Sequence, residues 1–129
     1  MPTPDAQPPR AQEREQSLQI SNEIVRLYKV LFGRGPTQAR VNYAGPDILL
    51  VTLENTLTPA ERTLADMGEH QRLRDSRLFF QHARADDFRQ TIERITGREV
   101  RAFISGMDAE ADVSCELFYL EPMDVTQRA

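Results

Sequence analysis

The sequence predicts an α+β fold, a two-layer sandwich in the order helix–hairpin–helix–hairpin (αββαββ), with antiparallel strands and the helices on one face. Three observations predict it. Apolar residues recur at helical spacing ahead of Gly33 and again between Pro59 and Thr96, and a glycine closes each segment. After each glycine, apolar and polar residues alternate with a period of two around a polar turn, the mark of a half-buried hairpin. Strands joined by short turns pair antiparallel, which leaves one sheet face for the amphipathic helices to cover.

Residues 1–16, "MPTPDAQPPRAQEREQ", offer no apolar group for burial and predict a disordered Pro/Gln-rich tail running into the first helical turn. From Ser17 the pattern changes. Ile20, Ile24, Leu27, Tyr28 and Leu31 form one stripe, Gly33 supplies the C′ stop, and Pro36 prevents continuation. Ala39, Val41 and Tyr43 then alternate with Gln38, Arg40 and Asn42, "AGPD" at 44–47 supplies a turn, and the apolar run Ile48–Leu53 predicts a central strand covered on both faces.

In "LTPAE", Thr58 is a good N-cap, Pro59 sits at N1, and Glu61 at N3 completes a capping box. The stretch Pro59–Thr96 reads as mostly helical with a break near Met67-Gly68. Its second part carries Leu78, Ala85 and Ile92 at seven-residue steps, with Phe88 and Ile95 on the same side, before Gly97 ends it. Such a long helix would overhang a sheet of short strands, and burial of the overhang predicts a homodimer. Val100, Ala102 and Ile104 alternate with Arg101, Phe103 and Ser105. A polar turn, "MDAEAD", leads to Val113, Cys115, Leu117 and Tyr119. The folded unit is thus one domain, 17–121, with a polar C-terminal tail at 122–129. Its halves echo each other: "GRGPTQARVNYAGPDILLVTLE" and "GREVRAFISGMDAEADVSCELFYLE" both open with Gly-Arg after a helix and close with Leu-Glu.

The formal charge of −4 argues against a nucleic-acid partner, which usually demands a basic surface. Cys115 is the only cysteine, so no internal disulfide forms and a cytoplasmic location is the default. No apolar run approaches a membrane span, so any membrane role is expected from the side, peripheral to the inner face.

"GRGP", residues 33–36, raises the question of a phosphate cradle. Known cradles follow a strand and open a helix, whereas here a helix precedes and a strand follows, so the loop faces the carbonyl end of the helix dipole. Walker and dinucleotide readings fail on chain direction. Gly35 and an outward Arg34 are left over as a candidate ligand or partner contact. Arg77 and Arg84, seven apart in the densest basic segment, form a second candidate contact for an acidic partner, although Asp75, Asp86 and Asp87 offer intrahelical pairs. The two histidines, His70 and His82, are too far apart on one helix to share a metal. Asp108, Glu110 and Asp112 lack the pattern of a calcium loop and read as a solvated turn. No catalytic constellation, metal site or cofactor site is expected.

The ordered set "GRGP", "LLVTLENTLTPAE", "ITGREV" and "SGMDAEADVSCELFYL" resembles the MpsC-like family, with coverage from about Ser17 to Leu120. That family takes its name from a Na⁺-translocating membrane-potential-generating system whose other components are membrane proteins linked to inorganic carbon (bicarbonate) uptake. The resemblance implies a small accessory or regulatory component with a membrane transporter or regulatory protein as partner, and no established reaction. It highlights Gly33, Arg34, Gly35, Pro36, Leu57, Thr58, Glu61 and Gly97. The alternative is a domain that binds a small anionic ligand or nucleotide through the Gly33–Pro36 loop.

Overall fold

The computed structural model describes residues 11–123, and the expectations for residues 1–10 and 124–129 lie outside the described residues. Helix α1 (Ala11–Phe32) begins at Ala11, so residues 11–16 are helical rather than part of a tail. Its buried residues are Ile20, Ile24 and Tyr28, and Gly33 closes it at φ 81° with its amide on the Lys29 carbonyl, 2.9 Å.

Strands β1 (Gln38–Tyr43) and β2 (Ile48–Glu54) form the first hairpin, and β3 (Val100–Asp108) and β4 (Val113–Leu120) form the second. All pairs are antiparallel, and β2 pairs with β4, so both hairpins share one four-stranded sheet in the order β1-β2-β4-β3. The helices cover one face. Leu49, Val51 and Leu53 of β2 and Phe118 and Leu120 of β4 meet Ile20, Ile24 and Tyr28 of α1 there, together with Phe88 and Ile92. Removing these side chains from water is the main source of stability.

The expectation that β2 is covered on both faces is corrected: on its outer face Ile48, Leu50 and Thr52 remain half-buried. The second hairpin also differs in which side chains point inward. A register shift between Val100 and Ala102 turns the strand over, so Phe103, Ser105 and Met107 share the helix-covered face and Ile104 is 56% exposed. On β4 the buried set is Ser114, Glu116, Phe118 and Leu120, not Cys115, Leu117 and Tyr119.

The second helical stretch is three helices, α2 (Pro59–Asp66), α3 (His70–Ala83) and α4 (Ala85–Thr96). Gly68, at φ 78°, makes the first break. A second falls at Arg84, which ends α3 and starts α4 with no side-chain cap and no glycine or proline. The break divides the seven-residue stripe: α3 buries Leu73, Arg77 and Gln81, while Leu78 and Ala85 are half-buried. The single long helix whose overhang motivated a homodimer is therefore absent. A smaller apolar cluster of Leu57, Ala65, Leu73 and Ala109 ties α2 and α3 to one end of the sheet.

Candidate functional site: a sealed polar network

The loop between β2 and α2 organises the polar interior. Asn55 leaves the strand at φ 60°, and Thr56 and Leu57 are buried. Buried backbone polar groups need partners, and three distant side chains supply them. Asp112, held at φ 55° at the end of the β3–β4 turn, accepts from the Thr56 amide at 2.8 Å and from the Leu57 amide at 3.3 Å, and pairs with Arg62 at 2.8 Å. The expected solvated turn is corrected at this residue, which is 4% exposed. Arg77 donates to the Thr56 carbonyl at 2.8 Å. Arg34 donates to the Leu57 carbonyl at 3.0 Å.

Arg34 is thus turned back onto its own chain and half-buried, not outward. Gly35 has a packing reason: a Cβ there would lie 2.9 Å from Lys29 Cε and 3.2 Å from Val25 Cγ1, so the loop lies flush against α1. Gly33 and Pro36 end the helix, and the four residues together fasten α1 to the β2–α2 loop. Gly97, at φ 70°, closes α4, and Arg98 behind it donates to the Pro46 and Glu121 carbonyls, each at 2.8 Å, and pairs with Asp47 at 2.5 Å. The Gly-Arg echo of the two halves is one device used twice, a helix stop followed by an arginine that binds loop carbonyls.

Thr58 caps α2. Its hydroxyl accepts from the Glu61 amide at 3.2 Å, Glu61 Oε1 accepts from the Thr58 amide at 2.9 Å, and Pro59 occupies the first turn. Glu61 also grips Arg77, which donates through Nε at 2.6 Å and Nη2 at 2.7 Å. Burial pushes the Glu61 carboxyl up, but the Arg77 hydrogen bonds and the Thr58 amide outweigh it and hold the group below its ordinary range. The Arg77 side chain is 2% exposed and its guanidinium lies 3.8 Å over the Phe32 ring. Its Nη1 is buried and has no hydrogen-bond partner among the described residues. Arg84, by contrast, is exposed and pairs with Asp87 at 3.4 Å. The two arginines therefore do not share a surface: one belongs to the interior and the other to solvent.

Beside Arg77 lies the most unusual group of the chain. Glu116, on the helix-covered face of β4, is fully buried. Its Oε1 accepts from the Tyr28 hydroxyl of α1 at 2.7 Å and from Gln81 Nε2 of α3 at 2.5 Å. Ser105 of β3 donates to Oε2. Burial pushes this carboxyl up to about 7, with Ser105, Tyr28 and the Arg77 charge only partly opposing the rise. Burial, reinforced by the Glu116 charge, raises the Tyr28 hydroxyl well above its ordinary range. Such a group can take up or release a proton near neutral pH. It cannot meet a substrate in this conformation, because it is sealed. The surface grooves lie elsewhere, one between α1 and α4 beside Arg26, Val30, Gln90 and Arg94, another beside Gln16, Tyr43, Pro46 and Arg98. No group of three or more His, Cys, Asp or Glu side chains able to hold a metal ion occurs among the described residues.

The sequence reading missed Tyr28, Gln81, Ser105, Asp112 and Glu116 as a polar set. The signal lay in the inward register of β4, where Ser114 and Glu116 precede Phe118 and Leu120, but the outward set is the more apolar of the two.

Fold and site define an α+β protein with its helices on one face of an antiparallel sheet. Among the described residues, no helix is long and apolar enough to cross a membrane. The family model described as Na⁺-translocating membrane potential-generating system (MpsC) matches residues 12–122, and the chain belongs to that family. Neither a curated protein nor a solved structure matches the chain.

Proposed function

We propose that this chain is a non-enzymatic accessory or regulatory component of a Na⁺-translocating, membrane-potential-generating system, docked on a membrane partner from the cytoplasmic side and not embedded in the bilayer. The observation that carries the reading is the family match over residues 12–122 in a chain whose described helices are all too short or too polar to span a membrane. The sealed interior supports it: among the described residues, the carboxyl raised to near neutrality, Glu116, is fully buried. A link to inorganic carbon uptake is the finer form of the same proposal.

The test is affinity capture of the tagged full chain from gently solubilised native membranes. The expected result is co-purification of an integral membrane protein, and a membrane potential that falls when the chain is deleted. A chain recovered wholly in the supernatant, without any membrane protein, and whose deletion leaves the potential unchanged would overturn the proposal. The small-anion reading of the Gly33–Pro36 loop gains nothing from the geometry, since Arg34 is engaged by Leu57 and Gly35 by the α1 surface.

A further inference from the structure

The sheet has two faces and the helices cover one. Antiparallel sheets with a solvated face usually present polar residues there. This one does not. Strand pairing aligns Asn42, Leu50, Leu117 and Ile104 in one cross-strand row and Arg40, Thr52, Cys115 and Gly106 in the next. Beyond them lie Ile48, Tyr119 and Ala102 at one end and Glu54, Val113 and Asp108 at the other. Apart from Thr52 the centre is apolar, and the rim carries both signs of charge.

We propose that this open face packs against the same face of a second copy of the chain, about a two-fold axis that crosses the strands between the Leu50 and Thr52 rows. Three features of the face point to self-pairing. First, that axis exchanges the two central rows, so Ile104 of one copy lies over Gly106 of the other. Ile104 is 56% exposed, and nothing lies within 4 Å of where a Cβ on Gly106 would be. A protruding side chain thus meets a notch two residues along the same strand, which is the self-complementarity an isologous interface needs. Second, the axis exchanges the two end rows, which brings Asp108 of one copy toward Arg101 of the other, twice. Arg101 stands at this end of the face with its guanidinium 5.5 Å from the Tyr119 ring. Third, the area suffices. With about 4.8 Å between strands and about 3.3 Å per residue, the face spans roughly 19 Å by 25 Å. That flat footprint of roughly 500 Å² per copy, about 1,000 Å² for the pair, meets the lower bound of a specific interface. The strands of the two sheets stay near alignment, as face-to-face sheets do.

The experiment is sedimentation velocity on the full chain from about 1 to 100 μM, read together with the alkylation rate of Cys115, the sole thiol and a half-buried residue of the open face that pairing would cover. The expected result is a dimer whose Cys115 reacts more slowly as concentration rises. Ile104→Glu, at an exposed position, is expected to weaken association at least a hundredfold while leaving far-UV circular dichroism unchanged. Gly106→Leu, whose Cβ would meet no neighbour within 4 Å in its own chain, is expected to do the same. Arg101→Glu and Asp108→Arg each weaken the dimer, and the double variant restores it. A wild type that stays monomeric at the highest concentration overturns the proposal, as does a dimer indifferent to Ile104→Glu. Protection of Cys115 that appears only with membranes would assign the face to a different partner and overturn it equally.

Discussion

Replacing Glu116 by glutamine tests the polar interior most directly. In the unfolded chain this carboxyl titrates at its ordinary 4.5, and in the fold at about 7. Between those values the native state binds more protons than the unfolded state, so stability falls as pH rises. The contribution is fully present below the unfolded value and is lost as pH passes through the folded one. At about 1.4 kcal/mol per pH unit the interval amounts to about 3 kcal/mol. Glutamine is neutral at every pH and nearly isosteric. Its carbonyl can accept from Tyr28 and Gln81 where Glu116 Oε1 does, and its amide can donate to Ser105, whose hydroxyl then reverses its role.

Urea unfolding of wild type and Glu116→Gln across roughly pH 5 to 8 reads the difference, and every other titrating group cancels from it. Near pH 5 the two proteins are expected to agree within about 1 kcal/mol, whereas at about pH 8 the variant is expected to be more stable by about 3 kcal/mol. Two parallel curves would refute the reasoning. So would a variant that is the weaker protein at the alkaline end, for that would mean Arg77 and the hydroxyls stabilise the carboxylate more than burial penalises it.

Arg77→Ala leaves Glu61 without its partner and is expected to cost about 3–5 kcal/mol in chemical denaturation, the usual result of breaking a buried ion pair from one side. Glu61→Gln keeps the capping geometry and removes the charge. Because the folded carboxyl titrates below its ordinary value, the wild-type advantage is present above the unfolded value and disappears as pH falls through the folded one, a trend opposite to that of Glu116 and visible in thermal melts at stepped pH. Arg34→Ala orphans the buried Leu57 carbonyl and is expected to cost about 1 kcal/mol in the absence of any anion; phosphate that stabilised wild type but not this variant would restore the ligand reading of the loop. Gly97→Ala meets no neighbour but must hold φ 70°, so calorimetry should show a loss of about 1 kcal/mol from backbone strain alone.

What was legible in the sequence is what short-range chemistry decides. The stops at Gly33 and Gly97, the break at Gly68 and the cap at Thr58 each rest on neighbours within four residues, and the structure has all of them. The hairpins were legible for the same reason. The inward face of the second hairpin was not, because a bulge near Val100 inverts an alternation that looks regular, and because β4 presents its more apolar set outward. The break at Arg84 carries no residue signal at all. Arg34 was legible as a cation in a loop but not as an internal donor, since its acceptor lies 23 residues away. Glu116 could be found only once the register was known.

The asymmetry between the two halves explains why the polar network is there. Both halves offer a helix, a Gly-Arg stop and a hairpin, and α1 and α4 both pack on the apolar part of the sheet. The inward row of β2 is Leu49, Val51 and Leu53, whereas the matching row of β4 replaces two of its apolar positions with Ser114 and Glu116. Glu116 is the position that α3, which like α2 has no counterpart in the first half, reaches with Gln81, and the Arg77 charge acts on the same carboxyl. An apolar β4 would leave the buried Gln81 amide without its carboxyl acceptor. The apolar core holds α1 and α4, and Tyr28 of α1 also bonds the Glu116 carboxyl. Gln81 joins α3 to that carboxyl, whose protonation changes near neutrality. The Glu116 carboxyl thus joins α1, α3 and β3 to β4, and Arg77 ties α3 to the α2 cap through Glu61.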